Sequence, residues 1–262
     1  MLIVTFGSTS SGSSSQTHGY SAGHVSYAGP QVFSNVIQKV SFAVAEADST
    51  DVANLTVART SAGGATAINE QYGYCVAGHH TIPSSINTID KYPFASDSDA
   101  TDVGDVNVNT SPNGNISSVT HGYYTADPGT ANGALAGNIN RFAFASPATS
   151  ADVGDMITNP ANGGGSQSET HGYISGGAGN SNQIQKFSFA SLGNATDVGD
   201  MLHGGNGPAC ASSTTHNYNA GGWQSEQNPT NQINKWTTAQ DNNATDVGDL
   251  WAPNYGNVGT QV

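Results

Sequence analysis

The sequence predicts an all-β fold, a five-bladed β-propeller of about 50-residue repeats. Three observations carry the prediction. A cassette of Thr-His-Gly-Tyr, a Gly-rich stretch, Ile-x-Lys-aromatic and Ala-Thr-Asp-Val-Gly-Asp recurs five times, its Tyr at Tyr20, Tyr74, Tyr123, Tyr173 and Tyr218. The composition is rich in small residues, with 33 Gly and only 10% charged side chains, which suits short strands and tight turns and disfavours helices. The basic residues keep the same period: of six Lys and Arg, only Arg59 lies outside the slot held by Lys39, Lys91, Arg141, Lys186 and Lys235.

Apolar content of 35% is low enough to raise disorder as a rival, but the regular placement of Ile, Val, Phe and Tyr argues for packed sheets. One domain is expected over residues 1–262. Its repeats centre on 17–54, 71–105, 120–155, 170–200 and 215–249. Residues 250–262 repeat the start of a cassette, as residues 1–17 do, so they are expected to close the ring or to exchange with another molecule.

The fourth copy shows how a cassette folds. The His171-Gly172 pair between extended runs reads as a hairpin turn, with Gly supplying positive φ. The same slot holds His18-Gly19, Tyr72-Gly73, His121-Gly122 and His216-Asn217. The strand Gln183–Ala190 alternates, with Phe187 and Phe189 on one face and Ile184 and Lys186 on the other. Apolar residues on both faces require cover on both sides, which stacked blades provide. The last strand, Ala195–Leu202, bends at its Asp and Gly residues. The acidic slots opening at Asp51, Asp102, Asp152, Asp197 and Asp246 recur with the basic slot. This predicts structural ion pairs between the carboxylate and the lone Lys or Arg of each blade.

Charge and motifs exclude several functions. A formal charge of −13 repels phosphate backbones and anionic membranes, so nucleic acid is not an expected partner. Residues 1–6 are too short for a signal peptide and no apolar run reaches membrane-spanning length, so neither secretion by a standard leader nor membrane insertion is expected. Cys75 and Cys210 fall at different cassette positions and read as two unpaired thiols. No Gly-x-Ser-x-Gly, HExxH, P-loop or dinucleotide fingerprint is present, so no catalytic residue and no cofactor is expected. His18, His121, His171 and His216 are repeat mates set too far apart around a ring to share a metal. The two carboxylates of each Asp-Val-Gly-Asp element are too few for a calcium loop unless carbonyls and waters complete the shell. No metal site is therefore expected.

Recognition is expected where the copies differ, in the loop between the Gly-rich strand and the Ile-x-Lys strand. Trp223 and Gln224, with Tyr27, His79, His80, Tyr124 and Asp127, are the candidate ligand-binding residues, Trp223 as a platform for a sugar ring.

The strands Tyr173-Ile174-Ser175-Gly176-Gly177 and Tyr218-Asn219-Ala220-Gly221-Gly222 resemble the double-glycine strand of kelch repeats, although the kelch Trp of the fourth strand is absent. The wording Ile-x-Lys-Phe-x-Phe-Ala-Ser followed by Ala-Thr-Asp-Val-Gly-Asp is similar to repeats in virion and tail-fibre-like proteins of marine bacteriophages. That resemblance implies a non-enzymatic adhesion or decoration module on a virion, made in the host cytoplasm. Its partners would be other virion proteins and host surface glycan. The alternatives are a homo-oligomer, a filament or lattice joined by strand exchange, and a polysaccharide-active enzyme on a propeller scaffold.

Overall fold

A computed structural model describes residues 4–5, 17–26, 32–43, 48–66, 71–81, 84–126, 137–158, 161–224 and 229–254. These residues form five four-stranded antiparallel sheets arranged as a five-bladed β-propeller, with one short 3-10 turn at Ala178–Asn180 as the described helix. Every blade is a meander of strands consecutive in sequence. Blade 1 holds β1 Val4–Thr5, β2 His18–Ser26, β3 Val32–Ser41 and β4 Thr50–Asn54. Blade 2 holds β5 Gly63–Thr66, β6 Tyr72–Thr81, β7 Ser84–Pro93 and β8 Thr101–Asp105. Blade 3 holds β9 Asn113–Ser117, β10 His121–Thr125, β11 Asn138–Ala143 and β12 Ala151–Asp155. Blade 4 holds β13 Gly164–Gln167, β14 His171–Ser175, β15 Gln183–Ser188 and β16 Thr196–Asp200. Blade 5 holds β17 Ala209–Ser212, β18 His216–Ala220, β19 Gln232–Thr237 and β20 Thr245–Asp249.

Neighbouring first strands approach one another and line the axis. A Cβ at Gly165 of β13 would lie 2.7 Å from the Gly114 backbone of β9, so the axis tolerates only glycine there. Val4–Thr5 supplies the first strand of blade 1, pairing with Tyr20 and Ser21. At the far end, Leu250–Asn254 follows the path that links one blade to the next. The Leu250 amide donates to Asn231, and Asn254 accepts from Gly222 as Thr110 accepts from Gly78 and Gly205 from Gly177. Of the expected closing or exchanged strand over residues 250–262, residues 255–262 lie outside the described residues.

The His-Gly pair is not the turn. The turn lies one step earlier, at Ser118-Val119-Thr120-His121 and its copies from Ser168 and Ser213, where the Ser amide donates to the His carbonyl at 2.7–2.8 Å. The same Ser hydroxyl accepts from the His amide at 3.0–3.1 Å. Gly opens the second strand because an aromatic of the third strand lies across it. Gly172 pairs with Phe187, and Gly73 with Tyr92. A Cβ would meet those rings at 2.3 and 2.4 Å. The glycine is selected by cross-strand packing rather than by a positive φ.

Positive φ belongs instead to the double-glycine step at the end of the second strand, with Gly176 at 76° and Gly177 at 127°. Blade 2 places Ala77 there at φ 49°, a conformation that costs an L-residue about 1–2 kcal/mol.

The core consists of slabs between blades. Tyr20 stacks on Phe94 of blade 2 with ring centroids 4.6 Å apart, Tyr74 on Phe144 at 5.0 Å, and Tyr123 on Phe189 at 4.9 Å. Tyr173 packs with Ile184, Met201 and Trp236 of blade 5. Each slab buries roughly four large side chains, each stabilising the fold by about 1.5–3 kcal/mol.

Candidate functional site

The propeller has two ends. One carries the uniform Ser-x-Thr-His hairpins and the links between third and fourth strands. The other carries the second-to-third-strand hairpins and the connectors between blades, and the copies differ most there. In blades 1 and 2 the strands of this hairpin are 9 or 10 residues long, against 5 or 6 in the other blades. At about 3.4 Å per residue the two taller hairpins rise roughly 14 Å above the rest.

Two candidate ligand residues share this end by repeat symmetry. His79 and Trp223 stand at the same step after the double-glycine position of blades 2 and 5. Each is fixed by reciprocal backbone bonds to the connector from the preceding blade, His79 to Thr60 at 2.8 and 2.9 Å and Trp223 to Asn206 at 2.8 and 3.0 Å. The His79 ring bonds the Ser85 hydroxyl through Nδ1 at 3.1 Å. His80 is exposed, and Gln224 and Trp223 are partly buried. This end therefore presents an indole, two imidazoles and a carboxamide on a rigid frame, groups that stack on and hydrogen-bond polyols.

Tyr124 does not belong to that surface. It is 2% exposed, its hydroxyl lies 2.6 Å from the Ser150 hydroxyl, and burial pushes its phenol well above the usual range. It sits in β10 and packs between blades 2 and 3, because Tyr123 and Tyr124 point to opposite faces of one strand. Tyr27 and Asp127 lie outside the described residues.

The expected ion pairs within each blade do not form among the described residues. Lys186 pairs across strands with Thr196 while Asp197 pairs with Gln185, so the base and the acid face opposite sides of the sheet. Instead Asp102, Asp152, Asp197 and Asp246 each accept the backbone N–H two residues on, at 3.0–3.2 Å, closing the bulge at Val-Gly. The second oxygen of Asp152 and that of Asp197 accept a third-strand amide, from Asn138 and Gln183. Asp51 pairs in register with Gln38. The basic slot reaches across to the next blade: Lys39 bonds Asp97 at 2.8 Å, and Lys186 bonds Asp241. Lys91 lies 3.8 Å from the centroid of the Tyr72 ring. Arg141 and Lys235 make no ion pair among the described residues.

The repeated histidines each turn Nδ1 to the preceding threonine hydroxyl, at 2.7–2.9 Å in blades 1, 3, 4 and 5. No group of three His, Cys, Asp or Glu converges among the described residues. Burial pushes the Cys75 thiol up to about 11 and the Cys210 thiol up to about 12, which keeps both protonated and inert near neutrality.

Sequence reasoning missed the most polar buried site. Arg59 and Asp90 are both 0% exposed and form an ion pair at 2.6 Å. Arg59 also donates to the carbonyls of Val57, Ala77 and Thr88, and Asp90 accepts the Thr56 amide and hydroxyl. The signal was present. Arg59 is the one base outside the basic slot, and Asp90 is the one acid in a position otherwise held by Gln38, Asn140, Gln185 and Asn234. No protein-family model matches the chain, and no curated protein is similar to it in sequence.

Proposed function

We propose that the chain is a non-enzymatic adhesion module that binds host surface glycan at its variable end. The observation that carries this reading is that His79 and Trp223 occupy one repeat position, in blades 2 and 5, on a frame that is otherwise repetitive. Reciprocal backbone bonds to the connectors fix both positions before a ligand arrives, which lowers the ordering cost of binding. The acidic, low-complexity surface favours neutral polyols over polyanions. The kelch-like double-glycine strands and the Ile-x-Lys-Phe-x-Phe-Ala-Ser wording support a virion setting, as a tail-fibre or surface-decoration component that meets other virion proteins.

A neutral and acidic glycan array, probed with the full chain and with Trp223→Ala and His79→Ala, tests the reading. Binding to a neutral glycan that drops at least tenfold in Trp223→Ala is the expected result. Release of cleaved sugar would replace the adhesin with an enzyme, and no retained glycan would remove the reading.

A further inference from the structure

Four of the five junctions between blades are built from the same parts, and the fifth is not. In each of the four, the amide preceding the fourth strand of one blade donates to the last carbonyl of the fourth strand before it. The pairs are Ala100 with Asn54, Ser150 with Asp105, Ala195 with Asp155 and Ala244 with Asp200, each at 2.8 Å. A buried polar side chain on the third strand then takes the connector of the preceding blade. Asp90 accepts the Thr56 amide, Asn140 the Asn107 side chain, Gln185 the Ile157 amide and Asn234 the Leu202 amide.

The counterparts at the junction of blade 5 with blade 1 are Ser49 with Asp249, and Gln38 with Trp251. Neither bond is made. Ser49 donates its hydroxyl to Gln38 within blade 1, and both Ser49 and Asp249 are exposed. The glycine of the acidic element tells the same story. A Cβ at Gly104, Gly154 or Gly199 would lie 2.2–2.6 Å from the following blade, whereas at Gly248 it meets nothing within 4 Å among the described residues. Every residue of β20 is exposed. Tyr218, Ile233 and Leu250 are only partly buried, where Tyr173, Ile184 and Met201 are 3%, 0% and 3% exposed. On blade 1 the counterparts of Phe187 and Phe189 are Val40, partly buried, and Phe42, 43% exposed. Trp251, fully exposed, stands beside this face.

We propose that this unmade junction is an association surface for a second copy of the chain, blade 5 of one molecule docking on blade 1 of the next. Both halves of an interface already realised four times are present on one chain, and in the monomer their described residues make neither of the two bonds that join the other blades. The pairing is heterologous, so it propagates head to tail. Trp251 is the kind of exposed aromatic that anchors such contacts. With −13 on each copy the partners repel at long range, so added salt strengthens the association. This surface is defined by Ser49, Gln38, Asp249 and Trp251 and does not depend on the glycan reading.

Single variants Ser49→Cys and Asp249→Cys, both at exposed positions, test it in the full chain. Residues bonded as Ala195 is to Asp155 sit at a separation that a disulfide spans. The native thiols are too weakly ionised to compete. Mixing the two variants under mild oxidation is expected to give a mixed covalent dimer in preference to either homodimer. The wild-type mass by light scattering should rise with protein concentration and with salt. A double variant that oxidises to a cross-linked monomer at every dilution would show that the junction closes within one molecule and overturn the proposal. A wild-type mass that stays monomeric, with no mixed dimer, would overturn it equally.

Discussion

The junction of blades 3 and 4 and the junction of blades 5 and 1 descend from the same cassette, yet they differ at every group that crosses them. Between blades 3 and 4, Tyr123 stacks on Phe189, Gln185 receives the amides of Ile157 and Thr158, and Asn194 caps the Asp155 amide. Among the described residues, Ser49, Gln38, Asp249 and Trp251 make neither of the corresponding bonds across the other junction, and Val40 stands where blade 4 has Phe187. The difference teaches that blade stability here is a sum over neighbours, as in other repeat arrays. A blade is held by what it offers its neighbour on each face, and identical sequence elements on blade 5 remain idle without a partner.

The largest test of this comparison is Arg59→Met, which leaves Asp90 buried without its partner in the junction of blades 1 and 2. A loss of about 3–5 kcal/mol in chemical denaturation is expected. Gln38→Met, in the equivalent slot of the unmade junction, should change stability by no more than about 0.5 kcal/mol.

Next in size is a matched pair, Gly199→Val and Gly248→Val. Both glycines have φ near 150°, at 152° and 151°, so backbone strain is common to both. Only Gly199 has a neighbour, the Asn242 carbonyl 2.4 Å from a Cβ, so its substitution should be about 1–3 kcal/mol more destabilising. Equal effects would mean that Gly248 is also covered.

A smaller effect comes from pH. Burial lowers the pKa of His121 and His171 below 6.5, and the nearby charges of Arg141 and Lys186 add to the shift. A lowered imidazole pKa means that the folded state prefers the neutral ring. The contribution is therefore present above pH 6.5 and is lost as pH falls through the depressed folded values. The melting temperature should decline from pH 7 towards pH 5, and His121→Gln with His171→Gln should flatten that decline. The smallest expected effect is Lys186→Met. It removes a surface pair with Asp241 and should cost about 0.2–1 kcal/mol, against no change for Lys235→Met, which has no ion-pair partner among the described residues.

The propeller was legible because its signals are local and repeated. Period-two alternation in Gln183–Ser188 placed Phe187 and Ile184 on opposite faces, and the repeat length fixed the blade count. The glycine that follows His18, His121 and His171 reads as a turn residue in the sequence, since a Gly under a ring and a Gly in a turn look alike in one chain. The ion pairs were misassigned because facing depends on strand register. The bulge at Asp-Val-Gly, with its register shift beside Gln185, determines which side chains share a side. Tyr124 reads as a loop residue in the sequence because its burial, one residue before the end of β10, depends on where that strand stops. The unmade junction has no sequence signature beyond Val40, since it is a property of two faces that lie far apart in the chain.

Amide hydrogen exchange on a dilute monomeric sample, read at five equivalent backbone positions, distinguishes an open junction from a closed one. Ala100, Ser150, Ala195 and Ala244 donate across a junction, and Ser49 does not. Strong protection is expected at the first four and rapid exchange at Ser49. Comparable protection at all five would show a junction closed within the molecule and contradict an open one.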